Sequence, residues 1–152
     1  KTGLLWDTDL ETALDEGNKI HYILGNIEYH TDIDNAILKS IHKGIIENNE
    51  VDRVKSKVQA VISHPELKKY FYNTNTVFNE RDVLLLNGNI LRPDRVVINE
   101  GKASIIDYKT GDRHQKYHHQ INAYADSYLK MGYEIENKII VYINNTIFTE
   151  FI

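Results

Sequence analysis

The sequence predicts an α/β fold, an N-terminal helical block followed by a mixed β-sheet flanked by helices. Three observations carry that expectation. Up to about residue 72, apolar residues recur at helical spacing. From Thr74 onward, β-favouring runs are cut by Asn87-Gly88 and Asn99-Glu100-Gly101, which read as hairpin turns. A helical stretch from about His114 to Met131 then separates these strands from a last β pair, so the order is helices, three strands, helix, two strands. The 152 residues suit one domain with a sizeable core, with a mainly helical part over 1–72 and a sheet-and-helix part over 73–152.

Along the chain, Trp6 to Gly17 is a polar lead-in with Thr8 or Asp9 as N-cap and Glu11 in the first turn. Leu10, Ala13 and Leu14 continue into Ile20, Ile23, Leu24 and Ile27, giving one long helix or two that meet near Gly17. A glycine costs a helix about 1 kcal/mol relative to alanine, so a close approach by the hairpin is expected there. Thr31-Asp32 caps a second helix through about Ile46, with Ile33, Ile37, Ile41 and Ile45 on one stripe. Val51 to Ser63 forms a third on Val54, Val58, Val61 and Ile62, and Pro65 opens a short fourth from Glu66 to Tyr72. Strand residues from Thr74 to Leu86 turn at Asn87-Gly88, a type I′ signal, and return through Pro93. Proline cannot donate to a ladder, so a gap, bulge or edge is expected at Pro93. The simple register sets Glu80 opposite Arg95 as a structural ion pair, outside any site. Gly132 ends the long helix, and Ile139 to Ile143 pairs with Ile147 to Ile152 around Asn144-Asn145.

The chemistry concentrates between Leu91 and Gly111. If Glu100 and Gly101 form the loop, Asn99 pairs with Lys102, and counting outward puts Asp94 directly opposite Asp107. Opposed residues have Cβ atoms roughly 4.5–5.5 Å apart, where like charges repel. A divalent cation would offset that repulsion, and hard oxygen donors suit Mg²⁺ or Mn²⁺. Alternation places Asp107 and Lys109 on one face and Tyr108 on the other. Two acids and an amine on one edge suit metal-assisted phosphoryl chemistry, in which an ammonium orients water or stabilises developing charge. An isolated Asp-x-Lys reads as a surface ion pair of little consequence; its pairing with Pro93-Asp94 is what moves the reading.

Pro93-Asp94 followed by Asp107-Tyr108-Lys109 resembles the PD-(D/E)xK nuclease signature. Ile105-Ile-Asp-Tyr-Lys-Thr-Gly111 with Gln120-Ile-Asn-Ala-Tyr124 is similar to the RecB and AddA branch, and Gly17-Asn-Lys-Ile-His21 to that branch's early histidine motif. These pieces occur in the family's order over about residues 14–143. Where many relatives carry glycine and an aliphatic residue before the first aspartate, this chain has Arg92-Pro93, which leaves the carboxylate in place. The resemblance implies a restriction-endonuclease-like fold and a Mg²⁺-dependent deoxyribonuclease, with Mn²⁺ able to substitute. It implies that His21, Asp94, Asp107 and the backbone carbonyl of Tyr108 hold the metal. Lys109 would orient or help deprotonate the attacking water. Gln120 would position Lys109 or a phosphate, and Tyr124 would contact the DNA backbone or support the site. A metal-binding histidine must be neutral, so activity is expected to decline below about pH 6.5.

The resemblance also implies DNA as partner, as single strands or duplex ends, together with the helicase domains of a parent chain, a partner subunit, and a role in DNA end processing, repair and recombination. The chain starts at Lys1 without methionine and reads as a piece of a larger motor protein; no G-x-x-x-x-G-K-[ST] loop is present, so helicase activity is not expected within it. Having no cysteine, it excludes disulfides and the four-cysteine iron-sulfur cluster of some RecB-like relatives. No apolar run approaches a membrane span and no signal peptide is visible, so a bacterial cytoplasmic protein without a membrane partner is expected. A net charge of −4 argues against indiscriminate nucleic-acid binding, yet residues 39–81 hold eight Lys or Arg against five Asp or Glu, so the helical block reads as a DNA-facing cap or as scaffold. His114, His118 and His119 read as pH-dependent positive charge beside the DNA path. The competing expectations are an inert nuclease-like DNA-binding or partner-docking module, and an enzyme acting on RNA or a smaller phosphoester.

Overall fold

A computed structural model describes residues 15–152. The lead-in at Trp6, the expected caps at Thr8 and Asp9, and Leu10, Glu11, Ala13 and Leu14 lie outside these residues. Helix α1 occupies residues 15–25 and passes through Gly17 without a break. Ile20, Ile23 and Leu24 are buried along it, as is Ile27 just beyond its end. A Cβ on Gly17 would lie 3.0 Å from Thr110 Cγ2, so the close approach expected from the sequence is made by the segment just past the hairpin.

Helix α2 (Ile33–His42) stops earlier than its apolar stripe suggested, because Gly44 takes a left-handed φ of 71° and reverses the chain. Asp32 does not cap α2 through its side chain; Oδ2 accepts from the backbone N–H groups of Glu28 and Tyr29 at 3.2 and 2.9 Å and closes the preceding turn. Helix α3 (Val51–Ile62) buries Val54, Val58, Val61 and Ile62 as its spacing requires. After Pro65 the chain makes only a 3-10 turn, Lys68–Phe71, in place of a fourth α-helix. Leu67 and Tyr70, three residues apart, are both buried, and a three-residue period brings them to one side.

Five strands form one sheet in the order β1 (Thr76–Asn79), β4 (Arg95–Asn99), β5 (Lys102–Lys109), β6 (Glu134–Ile143) and β7 (Ile147–Phe151). The β2–β3 hairpin, Val83–Leu84 paired with Ile90–Leu91, stands apart as a second small sheet. Helix α4 (Gln115–Lys130) crosses from β5 to β6, which run parallel; the other neighbouring pairs are antiparallel. The helical block covers one face, on Val97, Ile106, Tyr108, Ile139 and Val141, while α4 covers the other on Val96, Ile105, Ile140 and Tyr142. Alternate residues of each central strand therefore enter two different cores, as expected for a sheet covered on both sides. Among the described residues, no helix is long and apolar enough to cross a membrane.

The β4–β5 hairpin has the register read from the sequence, from Asn99 opposite Lys102 to Arg95 opposite Ile106. Its loop residues Glu100 and Gly101 take φ values of 51° and 76°, as a type I′ turn demands. Two expectations upstream fail. Of Asn87 and Gly88 only the glycine has a positive φ, so the loop is not type I′; it closes through Gly88 N–H to the Leu85 carbonyl at 2.9 Å. Because β2–β3 branches away, β1 pairs directly with β4, and Asn79 rather than Glu80 lies opposite Arg95.

Candidate metal centre

Five segments converge at the C-terminal end of β5. Asp94 lies one residue before β4, and its Oδ2 accepts the backbone N–H of Tyr108 at 2.8 Å, which fixes the carboxylate beside the Asp107 end of the hairpin. His21 arrives from α1, its Nδ1 at 3.7 Å from Asp94 Oδ2 and its ring edge-on to Tyr108 with centroids 5.8 Å apart. Asp107 is almost fully enclosed; its Oδ2 has no hydrogen-bond partner, although Lys109 Nζ lies 3.0 Å away, because that contact meets the distance of a hydrogen bond but not its angles. Lys109 Nζ is fixed from the other side by Gln120 Oε1 at 2.8 Å, so α4 aims the amine back at the acids.

The fourth donor is Glu80, which the register argument had placed outside the site. It follows β1 with a left-handed φ of 48°, and its N–H donates to the Asp94 carbonyl at 3.0 Å. That backbone reversal swings its side chain away from Arg95. One ligand atom from each of His21, Glu80 and Asp94 lies within 4.8 Å of the others. Space for the Glu80 carboxylate exists because residue 25 is glycine; a Cβ there would sit 3.3 Å from Glu80 Cδ. Gly17, His21 and Gly25 recur every fourth residue, so one face of α1 presents the imidazole between two gaps into which Thr110 and Glu80 fit. That spacing was the available signal for Glu80. Asp107 is outside the three-residue set but borders Asp94 closely enough to act on its ionisation.

Electrostatics set the pair apart. Burial first, then the adjacent Asp107 charge and hydrogen bond, push the Asp94 carboxyl up to about 9. Burial pushes His21 below its ordinary value, partly opposed by the Asp107 and Glu80 charges and by the Tyr108 carbonyl beside it. The imidazole is therefore neutral to lower pH than the sequence-based expectation of about 6.5 assumed. Tyr124 is buried one turn from Gln120, and burial raises its hydroxyl to about 12. Its hydroxyl lies within hydrogen-bonding reach of the Gln120 side chain.

Other expectations are redistributed. His114 is the N-cap of α4, accepting from Lys116 N–H at 3.1 Å, while His118 Nε2 meets Glu150 Oε1 at 2.5 Å, so His114 and His118 belong to separate contacts. Arg92 is engaged with Asp82 at 2.6 and 3.1 Å at the base of the side hairpin. Within the helical block, Arg53 and Lys57 face Glu16 and Lys55 faces Asp34.

The donor set fits a hard divalent cation. A buried carboxylate oxygen that accepts no hydrogen bond among the described residues, a second carboxyl driven toward its neutral form, an exposed glutamate and a neutral imidazole together offer a donor set that suits a divalent cation.

Residues 3–144 match the family described as the PD-(D/E)XK nuclease superfamily. No curated protein matches the chain. Among solved structures, one titled "Crystal structure of SSO0001" aligns over 94% of this chain and 77% of its own, at 20% identity and a TM-score of 0.34.

Proposed function

Because the chain belongs to the PD-(D/E)XK nuclease superfamily, whose members are generally hydrolytic nucleases using divalent metals, we propose that it is a Mg²⁺-dependent deoxyribonuclease, with Mn²⁺ able to replace Mg²⁺. The observation that carries this reading is the facing of Asp94 and Asp107 under Lys109, with the Asp107 Oδ2 unpartnered. His21, Glu80, Asp94 and Asp107 would hold the ion, together with the Tyr108 carbonyl that faces the imidazole. When bound, the ion supplies Lewis acidity toward a phosphate oxygen and an acidified water.

The chain's own residues supply the rest. Lys109, fixed between Gln120 and Asp107, offers an N–H to the attacking water or to a nonbridging phosphate oxygen. Gln120 sets the direction of that amine, and the buried Tyr124 sets Gln120. Neutral His21 presents a lone pair to the centre, and Asp94, held by the Tyr108 N–H, would give up its proton as the ion binds. The chain order of these residues favours the RecB and AddA branch, and with it DNA single strands or duplex ends as substrate, a helicase-bearing parent chain with a partner subunit, and cytoplasmic work in DNA end processing, repair and recombination.

The test is cleavage of labelled single-stranded DNA with Mg²⁺, alongside calorimetric titration with Mn²⁺ for the natural protein and Asp107→Ala. Site-specific uptake lost in Asp107→Ala, with cleavage lost too, supports the reading. Uptake without cleavage of DNA, RNA or a small phosphodiester would make the domain an inert docking module.

A further inference from the structure

Beyond the metal centre, a chain of aromatic contacts leads from Lys109 through the half-buried Tyr117 and the buried Tyr142 to the exposed Phe148 at the sheet edge. Lys109 Nζ lies 4.7 Å above the Tyr117 ring, and Lys116 Nζ lies 5.4 Å from it. Tyr117 tilts against Tyr142 at 6.4 Å, and Tyr142 against Phe148 at 6.1 Å. Phe148 is on the edge strand β7 and remains 42% exposed, with the Arg113 guanidinium 4.1 Å above its ring. Two loops far apart in sequence are locked to make this arrangement. Asn144 accepts from the Gly111 N–H at 2.8 Å and donates to the Gly111 carbonyl at 3.0 Å, tying the β5–α4 connection to the β6–β7 turn. Glu150 steadies Arg113 and His118 from below, leaving the Arg113 side chain 61% exposed.

We propose that the exposed residues along this row, Phe148, Arg113 and Lys116, line the track of a single nucleic-acid strand, whose unpaired bases stack at Phe148 while its phosphates meet Arg113 and Lys116 on the way to the metal centre. The inference rests on the nuclease reading for its direction and deepens it by naming the strand form and its path. The half-exposed Phe148 ring and the Arg113 guanidinium laid over it offer a base a flat surface to stack on without reading sequence, and the flanking cations follow the backbone. A duplex has no free base faces, except at its ends, to offer such a ring. Glu150 pairs with Arg113 and His118 in this row, and Arg113 and Lys116 are its exposed cations.

The experiment measures binding of a fluorescent oligo-dT and of a hairpin-capped duplex by anisotropy in EDTA, for the natural protein, Phe148→Ala, Phe148→Leu, Arg113→Ala and Arg113→Lys. Both Phe148 variants should bind oligo-dT about tenfold more weakly, with duplex binding changed less than twofold. Phe148→Leu keeps apolar bulk on the strand, so its loss reports the aromatic face rather than the fold; melting temperatures are recorded for each protein. Arg113→Ala should lower the slope of log affinity against log salt by about 0.7, and Arg113→Lys should restore it. Phe151→Leu, on the opposite face of the same strand, should bind as the natural protein does. Oligo-dT binding by either Phe148 variant at natural strength, equal loss on both DNA forms, or no oligo-dT binding by the natural protein overturns the proposal. Mn²⁺-dependent hydrolysis of bis(p-nitrophenyl) phosphate by the natural protein, which has no base to stack, reports the nuclease reading separately.

Discussion

Asp94→Asn should make the metal-free protein more stable at neutral pH while removing its response to cations. In the metal-free protein the raised Asp94 carboxyl holds a proton that it shares toward Asp107. The amide of the variant is nearly isosteric with that protonated acid; its oxygen can still accept the Tyr108 N–H, and its NH₂ can still donate to Asp107. A group whose folded value is raised contributes stability that is complete below its unfolded value and is lost as pH rises toward the folded value. For Asp94 that window runs from 3.8 to about 9. At pH 7 the penalty of keeping the proton, at about 1.4 kcal/mol per pH unit above the unfolded value, has an upper limit of about 4 kcal/mol. Relaxation and water penetration reduce what such buried pairs show to about 1–3 kcal/mol.

At roughly 2–4 °C per kcal/mol for a chain of this size, the variant should melt about 3–10 °C above the natural protein at pH 7 in EDTA. The gap should close near pH 4 and widen toward pH 9. Excess Mn²⁺ should reverse the order, because a ligand at a hundred times its Kd adds about 2.7 kcal/mol to the protein that binds it. The assay is a set of thermal melts over pH 4–9 with and without Mn²⁺. If the two proteins melt together across that range in EDTA and respond alike to Mn²⁺, the acids are not in conflict and the argument for a cation between them fails.

Lys109→Met should retain Mn²⁺ uptake yet lower the cleavage rate about 10²–10³-fold, read by single-turnover cleavage at saturating metal. Gly25→Ala should leave the melting temperature unchanged or higher, since alanine favours the helix by about 1 kcal/mol, but weaken Mn²⁺ binding several-fold as the methyl displaces Glu80; unchanged calorimetric affinity would remove Glu80 from the site. With His21 lowered and Asp94 raised, Mn²⁺ affinity should climb between pH 6 and 8 by up to about tenfold per unit. Titration in buffers of different ionisation enthalpy should then show about one proton released per ion.

The hairpin was legible because everything that fixes it is local. Two left-handed loop residues set its register, alternation sets its faces, and Asp94, Asp107 and Lys109 then have no freedom to be elsewhere. The same holds for α3, whose valines can bury only one way, and for Gly17, whose presence in a helix announced a neighbour that proved to be Thr110. Glu80 was not legible by that route. Its place depends on how many residues the β2–β3 branch removes before β1 rejoins β4, and a one-residue change in that count exchanges the face on which a side chain emerges. The contacts of the histidines were not legible either, since spacing along one segment says nothing of the cap at His114 or of Glu150 arriving from β7.

Arg95 shows what keeps such a composite site in register. It is fully buried with no carboxylate partner among the described residues, and burial lowers its pKa against the usual guanidinium value. Its donors go instead to the carbonyls of Ile27 at 2.7 Å, Glu28 at 2.5 Å and Tyr70 at 2.8 Å, with Asn79 Oδ1 at 3.3 Å and the Phe71 ring 4.0 Å away. Carbonyls just past a helix end carry partial negative charge and lack intrahelical donors, so the guanidinium both satisfies and attracts the exit of α1. The residues concerned are the near neighbours of the candidate ligands: α1 carries His21, Asn79 precedes Glu80, and Arg95 itself follows Asp94. A planar fork with five donors can span three segments at once, which a single ammonium cannot. The imidazole and carboxylates therefore come from segments distant in sequence, and alongside the Tyr108 and Glu80 backbone bonds to Asp94 one side chain directed into the helical core ties those segments together.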